Sequence, residues 1–314
     1  WWLFVGRAIS GMTAASFATA NAYIADITPP EKRAAAFGMM GAAFGIGFVL
    51  GPLLGGQLGS IDPRLPFWVA AGLCLLNALY GYFILPESLP VERRAKFTLS
   101  NANPFGAVKL LLSNAQLAGL SLAQFLYMVA HNVYPAVFTF FTTYRYGWDA
   151  VMISYALGAV GVASIIVNGF LVGPLVKRLG ERRAIVVGLA FGVTAFLMYG
   201  FGETGMWVWF AIPVAAIWGL YAPAAQTLMT QRVSASEQGR LQGALGSLMG
   251  VAMIIAPLLY PQIFAAAIDL KKTAPGIPYL LGAPFFVAAL LLAAALAVAW
   301  QATRPYATAK TAER

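Results

Sequence analysis

Arg7 is the only basic residue inside an apolar run of this 314-residue chain. A guanidinium stays protonated at any relevant pH, so it would not carry a proton itself. Its chemistry would be to hold a nearby carboxylate ionised, since an opposite charge within about 4–6 Å lowers an acid's pKa. A charge in hydrocarbon costs roughly 2.5–3.5 kcal/mol and usually turns to the protein interior. A place at the end of the run, with the side chain snorkelling to the interface, is the other reading. His131, the one histidine, lies near the middle of another apolar run, beside Asn132 and one turn after Tyr127. An imidazole there either titrates near neutral pH or stays neutral and hydrogen-bonded at a cavity wall. Gln124, Tyr127, Asn132, Tyr134, Trp218, Tyr221 and Gln226 are candidates to line the same cavity, with lipid contact or plain packing as the alternative for the aromatic ones. Each of the 11 acidic residues falls in a loop or at a helix end, so these runs hold no carboxylate pair for hydrolysis or metal binding. With no nucleotide loop, HExxH or CxxC, no cofactor or metal is expected, and an intramembrane enzyme or an ATP-driven pump is disfavoured.

The elements that must position these residues are membrane helices. The chain is 60% hydrophobic and only 10% charged, with a mean hydropathy of +0.75. A soluble domain carries about 25% charged residues, so there is too little polar surface here to cover one. Nine runs reach the roughly 20 apolar residues that a spanning helix needs: Trp1–Ile24, Ala34–Leu58, Pro66–Leu85, Leu117–Thr142, Met152–Val176, Ala184–Gly202, Met206–Thr230, Leu241–Ala267 and Tyr279–Trp300. They are continuous rather than alternating, which excludes a β-barrel. The expected fold is an all-α integral membrane bundle. The single cysteine, Cys74, excludes a disulfide framework and reads as an inert packed thiol.

The net charge of +9 is a topology signal and not a nucleic-acid footprint. Alternate loops and the tail hold 15 basic residues, including Arg93, Arg94, Lys96 and Lys109, against four on the other side. The positive-inside rule then puts the C-terminus in the cytoplasm of a plasma-membrane (inner-membrane) protein. The chain opens on Trp1 inside an apolar run, with no basic n-region or cleavage site. A missing N-terminal part explains this most simply.

The polar stretch Pro86–Asn114 is the best boundary, and residues 104–112 within it could form a short interfacial helix. It separates residues 1–85, the end of a first helical half, from residues 115–303, a second half of six helices, with a tail over 304–314. Three spans precede the linker and six follow, so three missing helices would give six plus six. A shift of 205 residues lays Gly38, Gly41 and Gly45 on Gly243, Gly246 and Gly250, and Pro52 on Pro257. Parallel repeats of this kind build transporters with a site between two similar halves. Gly47, Gly51, Pro52, Gly55 and Gly56 form either a close-packing face or a flexible gate segment. Asp26, Glu31 and Arg33 cluster at one helix end. Gly173, Lys177, Arg178, Gly180, Arg182 and Arg183 make a basic turn between two later runs. Topology anchoring is the default for both groups, and their spacing also permits ion pairs that hold one conformation shut.

These motifs resemble the major facilitator superfamily, in particular its drug–proton antiporter branch and the tetracycline efflux proteins. Arg7-x-x-x-Gly11 is similar to that family's helix-four motif. Ala22–Thr28 with Glu31 and Arg33 is similar to the loop that follows it. Gly47–Gly56 resembles the helix-five antiporter motif, and Gly173–Arg183 the second-half copy of the loop motif, with Lys177 where the pattern prefers Asp. The resemblance implies twelve helices, nine of them visible, with the partner carboxylate of Arg7 in the helices upstream. It also places the family's helix-eight histidine at Ser164 and its helix-nine acidic residue near Gly192, where neither group is present.

The reading is a proton-coupled antiporter that exports an amphipathic organic compound by alternating access. Its partners would be lipid, that substrate and protons, and it would act as a monomer. An importer of a small nutrient and a non-transporting membrane scaffold are the alternatives.

Overall fold

A computed structural model describes residues 2–13, 16–62, 64–89, 110–274, 276–277 and 279–304. Among these residues the chain is helical, without strands. The helices are α1 (Trp2–Met12), α2 (Ser16–Ile27), α3 (Pro30–Ile61), α4 (Leu65–Phe83), α5 (Ala115–His131), α6 (Val133–Tyr146), α7 (Ala150–Ile166), α8 (Val172–Leu179), α9 (Glu181–Phe201), α10 (Met206–Ile217), α11 (Tyr221–Thr230), α12 (Gln238–Thr273) and α13 (Ala283–Ala302). A π turn, Val167–Leu171, joins α7 to α8, and a 3-10 turn, Trp218–Leu220, joins α10 to α11. Seven helical stretches are long and apolar enough to cross a membrane. The other two of the nine apolar runs are each divided into a helix pair, α1 with α2 and α5 with α6. The basic linker residues 93–109, most of the proposed interfacial helix and the tail beyond Arg304 lie outside the described residues.

Local chemistry explains the boundaries. Asn114 and Asp149 cap α5 and α7, their side-chain oxygens accepting from Leu117 N at 2.7 Å and Met152 N at 2.8 Å. Such caps are worth about 1 kcal/mol each. Gly147 and Gly180 turn the chain at φ 68° and 77°, a region that L side chains rarely adopt. The α5/α6 break follows from Pro135, whose ring conflicts with the His131 carbonyl four residues back. Asn132 fills the gap, its Nδ2 donating to Met128 O at 2.7 Å. Pro223 does the same for the 3-10 turn, since it offers no N–H to Gly219 O.

Shifted by 205 residues, the end of α1 at Met12 falls on the end of α10 at Ile217, and the start of α2 at Ser16 on the start of α11 at Tyr221. The buried core lies almost wholly between Leu110 and Ala299, where α13 packs on α5 and α9. Helix α4 has no buried residue and presents Phe67, Trp68 and Tyr82 outward. Cys74 lies on this helix and is exposed. The expectation of a packed thiol is thus corrected: nothing in the described chain covers α4, and an apolar run alone does not say which face meets protein.

Candidate substrate cavity and inter-half contacts

The two helix breaks bring the sequence-predicted aromatic residues together. Tyr127 and His131 end α5, and Trp218 and Tyr221 flank the 3-10 turn. The Tyr127 ring centroid lies 4.5 Å from Tyr221, 5.1 Å from Trp218 and 5.9 Å from His131. His131 is 5.3 Å from Trp218 and 5.9 Å from Tyr134. Phe196 of α9, which the sequence reading did not single out, closes the cluster at 5.3 Å from both Trp218 and Tyr134. An aromatic residue in an apolar helix gives no sequence signal that separates this role from packing.

The wall has polar atoms to spare. Gln124 Oε1, Trp218 Nε1, the Tyr221 hydroxyl and Gln226 Nε2 are buried with no hydrogen-bond partner among the described residues. A buried polar group left unpaired costs roughly 1–3 kcal/mol, so each of these atoms is available to water or a ligand. His131 is exposed and Tyr127 partly so. Asn132 is committed to the helix break and Tyr134 to ring contacts. Gly188 and Gly192, one turn apart on α9, seat the 3-10 turn: a Cβ at Gly188 would lie 2.8 Å from Tyr221 N, and one at Gly192 3.0 Å from the Trp218 ring and 2.8 Å from Leu292. A side chain at Gly192 would have to displace that indole and the end of Leu292.

At the basic end, Arg33 ties the halves together. It donates to Ala25 O at 2.8 Å, to Thr28 O at 3.1 Å and, across to α11, to the Thr230 hydroxyl at 3.4 Å. Gln238, its counterpart under the 205-residue shift, donates to Thr230 O at 2.8 Å, and Thr230 is the counterpart of Ala25. The same side-chain-to-carbonyl bond therefore closes both copies. Asp26 accepts from the Ser88 hydroxyl at 3.0 Å, and Glu31 is exposed. Among the described residues Arg33 forms no ion pair with either acid. These groups surround a cavity of about 350 Å³ lined by Asp26, Arg33, Ser88, Thr230 and Gln238. In the second basic turn, Lys177, Arg178 and Arg183 are exposed. The Arg182 guanidinium sits 4.3 Å from the Trp300 ring centroid, and Gly173 meets Ala35 of α3, a Cβ built there lying 3.1 Å from its methyl.

The glycine motif does not pack where its spacing suggested. A Cβ at Gly47, Gly51 or Gly55 would meet nothing within 4 Å. The close approach lies earlier on α3: a Cβ at Gly38 would lie 2.9 Å from Asn168 O, one at Gly41 2.8 Å from the Asn168 carboxamide, and one at Gly45 3.0 Å from Gly161 O. Arg7 lies on α1. Its side chain, that of Pro52 and the surroundings of Gly56 fall outside what is described.

Comparisons with known proteins agree with this architecture. The family model for the Major Facilitator Superfamily matches residues 1–257 and, in a second match, residues 146–313. The class C tetracycline resistance protein of Escherichia coli is 36% identical over 293 residues, which cover 92% of this chain and 72% of that protein. The class D tetracycline resistance protein of Salmonella ordonez is 33% identical over 95% of this chain and 74% of its own length. The hippocampus abundant transcript 1 protein of Mus musculus is 27% identical over 93% of this chain. The crystal structure of the human organic anion transporter MFSD10 superposes with a TM-score of 0.78, covering 94% of this chain and 70% of that one at 22% identity, which speaks to the fold. A second-half wall built at two broken helices, a latch repeated in both copies and these matches place the chain among the multi-pass membrane transporters of the Major Facilitator Superfamily.

Proposed function

We propose that this chain is a proton-coupled antiporter that exports amphipathic organic compounds, including tetracycline-like ones, across the inner membrane, with its C-terminus in the cytoplasm. The observation that carries the reading is the wall of Tyr127, His131, Trp218 and Tyr221. It offers stacking faces and unpaired neutral donors and acceptors, which suits a planar, partly polar solute. Residues 1–85 and 115–303 would be the two moving bodies, and the protein would work as a monomer. The halves are in contact at the basic end, through Arg33 and the early part of α3. From Leu50 onward α3 is largely bare, with Leu50, Leu54 and Ile61 exposed.

Arg7 would keep a carboxylate ionised until a proton is delivered. Ser164 and Gly192 carry no ionisable group, so lipophilic dyes should be moved better than tetracycline. Everted vesicles supply the test. Uptake of ethidium, driven by a pH gradient and abolished by collapsing it, is the expected result, with weaker uptake of tetracycline. Uptake that ignores the gradient, or strong selectivity for tetracycline, would overturn the coupling or the substrate class respectively. Orientation is checked separately: in a Cys74→Ser background, Asp62→Cys should react with an impermeant thiol reagent added from outside intact cells.

A further inference from the structure

Asn168 is a polar side chain in the one π turn among the described residues, and none of the functions above uses it. Its Nδ2 donates to Ser164 O at 3.0 Å and to the Ser164 hydroxyl at 3.1 Å. Ser164 O is the carbonyl that an α-helical Asn168 N–H would take, so the side chain competes with the backbone and the helix widens into the π form. Val172 N–H accordingly closes on Val167 O. The carboxamide is flanked by two glycines from different parts of the molecule. On one side is Gly41 of α3, where a built Cβ would lie 2.8 Å from Asn168 Cγ and Oδ1. On the other is Gly219 of the 3-10 turn, where a built Cβ would lie 3.0 Å from Oδ1 and 3.1 Å from Nδ2. The π turn and the Trp218–Leu220 turn of the second half thus meet the first half at one amide. Gly219 is the neighbour in sequence of Trp218, which belongs to the aromatic cluster.

We infer that Asn168 is a positioning residue for transport: its carboxamide, held between Gly41 and Gly219, couples the placement of Trp218 in the cavity to the sliding of α3 over α7 and α8. Three physical points support it. The glycine faces give the amide only weak Cα–H contacts, which exchange at little cost as α3 moves. π turns and 3-10 turns sit close in energy to the α-helix, and both are frequent at moving or functional points. The two packed bodies have discrete arrangements, so a small shift at Trp218 is passed on through Asn168 as a change of contact with Gly41 and is not absorbed. This rests on the transporter reading above.

The test uses the full chain in vesicles with ethidium as the transported probe. Asn168→Leu keeps the volume and removes the amide. The expected result is a fall of about tenfold in Vmax with KM within about twofold, as for a residue that acts on the conformational step and not on the bound solute. A change confined to KM would make Asn168 a substrate ligand, and normal transport per folded molecule would make it merely structural. Either result overturns the proposal. Gly41→Ala should be no worse in an Asn168→Ala background than Asn168→Ala alone, because the clash is with the side chain. Gly38→Ala, which meets the Asn168 main-chain oxygen at 2.9 Å, should add in full; equal additivity for both glycines would refute the clamp. A readout independent of transport separates this idea from the function reading. Spin labels at Ile61→Cys and Val151→Cys, on the exposed far ends of α3 and α7, report the opening in a Cys74→Ser background. Asn168→Leu should change the ratio of the two distance populations several-fold. An unchanged distribution sinks the proposal even where ethidium is transported, and a changed one supports it even where ethidium is not.

Discussion

Helices α3 and α12 carry the same glycine triplet 205 residues apart, yet among the described residues only that of α3 is seated. Gly38, Gly41 and Gly45 press against the π turn and α7 so closely that a Cβ at each would lie 3.0 Å or less from a neighbour. At Gly243, Gly246 and Gly250 a Cβ would meet nothing within 4 Å. In lipid there is no hydrophobic force between helices, so association relies on close approach at small residues, together with interhelical hydrogen bonds. The comparison teaches that a glycine triplet specifies a surface able to dock a helix, while the presence of a partner decides whether it does so. The basic end teaches the converse. Arg33 and Gln238, different in charge, make the same bond to the carbonyls of Ala25 and Thr230, so one geometry tolerates two chemistries.

The largest effect expected from this contrast is on packing. Gly45→Leu should destabilise the chain by about 1–3 kcal/mol through overpacking and stop transport. Gly250→Leu, its counterpart, should stay within about 0.5 kcal/mol in this 314-residue chain. Thermal unfolding in detergent measures both, and equal losses would break the comparison. Next comes Arg7, whose counterpart under the same shift is the buried Ile212. Arg7→Ala should abolish pH-driven uptake with insertion intact, and Arg7→Lys should keep part of it because the charge remains without the fork. Ile212→Val should leave coupling intact. Proton-coupled uptake of normal rate by Arg7→Ala, at matched expression, would reduce Arg7 to a snorkelling surface charge.

A smaller effect is expected at the latch. Arg33→Gln imitates Gln238 and should retain the bond to Ala25 O while losing those to Thr28 and Thr230, a cost of about 1 kcal/mol given the partial exposure. Arg33→Ala should lose more and raise thiol labelling of a cysteine at Thr230. If the two variants unfold alike, the shared bond contributes nothing. The smallest effect belongs to Glu237, just before α12, whose carboxyl is held below the usual carboxylate range by the Ser234 hydroxyl at 2.7 Å and the Ser234 backbone N–H at 3.2 Å. A depressed folded pKa means stability that is present at neutral pH and fades as pH falls from the unfolded value through the folded one. Glu237→Gln should therefore narrow the difference in melting temperature between neutral and acid pH by an amount corresponding to a few tenths of a kcal/mol. An unchanged difference would mean that the bonds to Ser234 do not persist in solution.

Much of the architecture was written in the sequence. Nine apolar runs against sparse charge leave only helices as a way to satisfy the backbone in hydrocarbon, and Gly38, Gly41, Gly45 and Pro52 carry a repeat that needs no coordinates to be seen. The helix breaks at Pro135 and Pro223 were not read from the sequence, because Pro213, Pro257 and Pro261 lie inside helices that continue. What only the tertiary structure decided is which faces meet. Spacing drew attention to Gly47, Gly51 and Gly55, whereas the packed glycines, Gly38, Gly41 and Gly45, lie earlier on α3, because the crossing point of α3 with α7 and α8 is set by both helices. The burial of Trp218 over Gly192, the amide of Asn168 between Gly41 and Gly219, and the exposure of Cys74 are likewise invisible to periodicity. A helix that is apolar all round has no moment to say where it points, and in a membrane the choice between lipid and protein is made by shape.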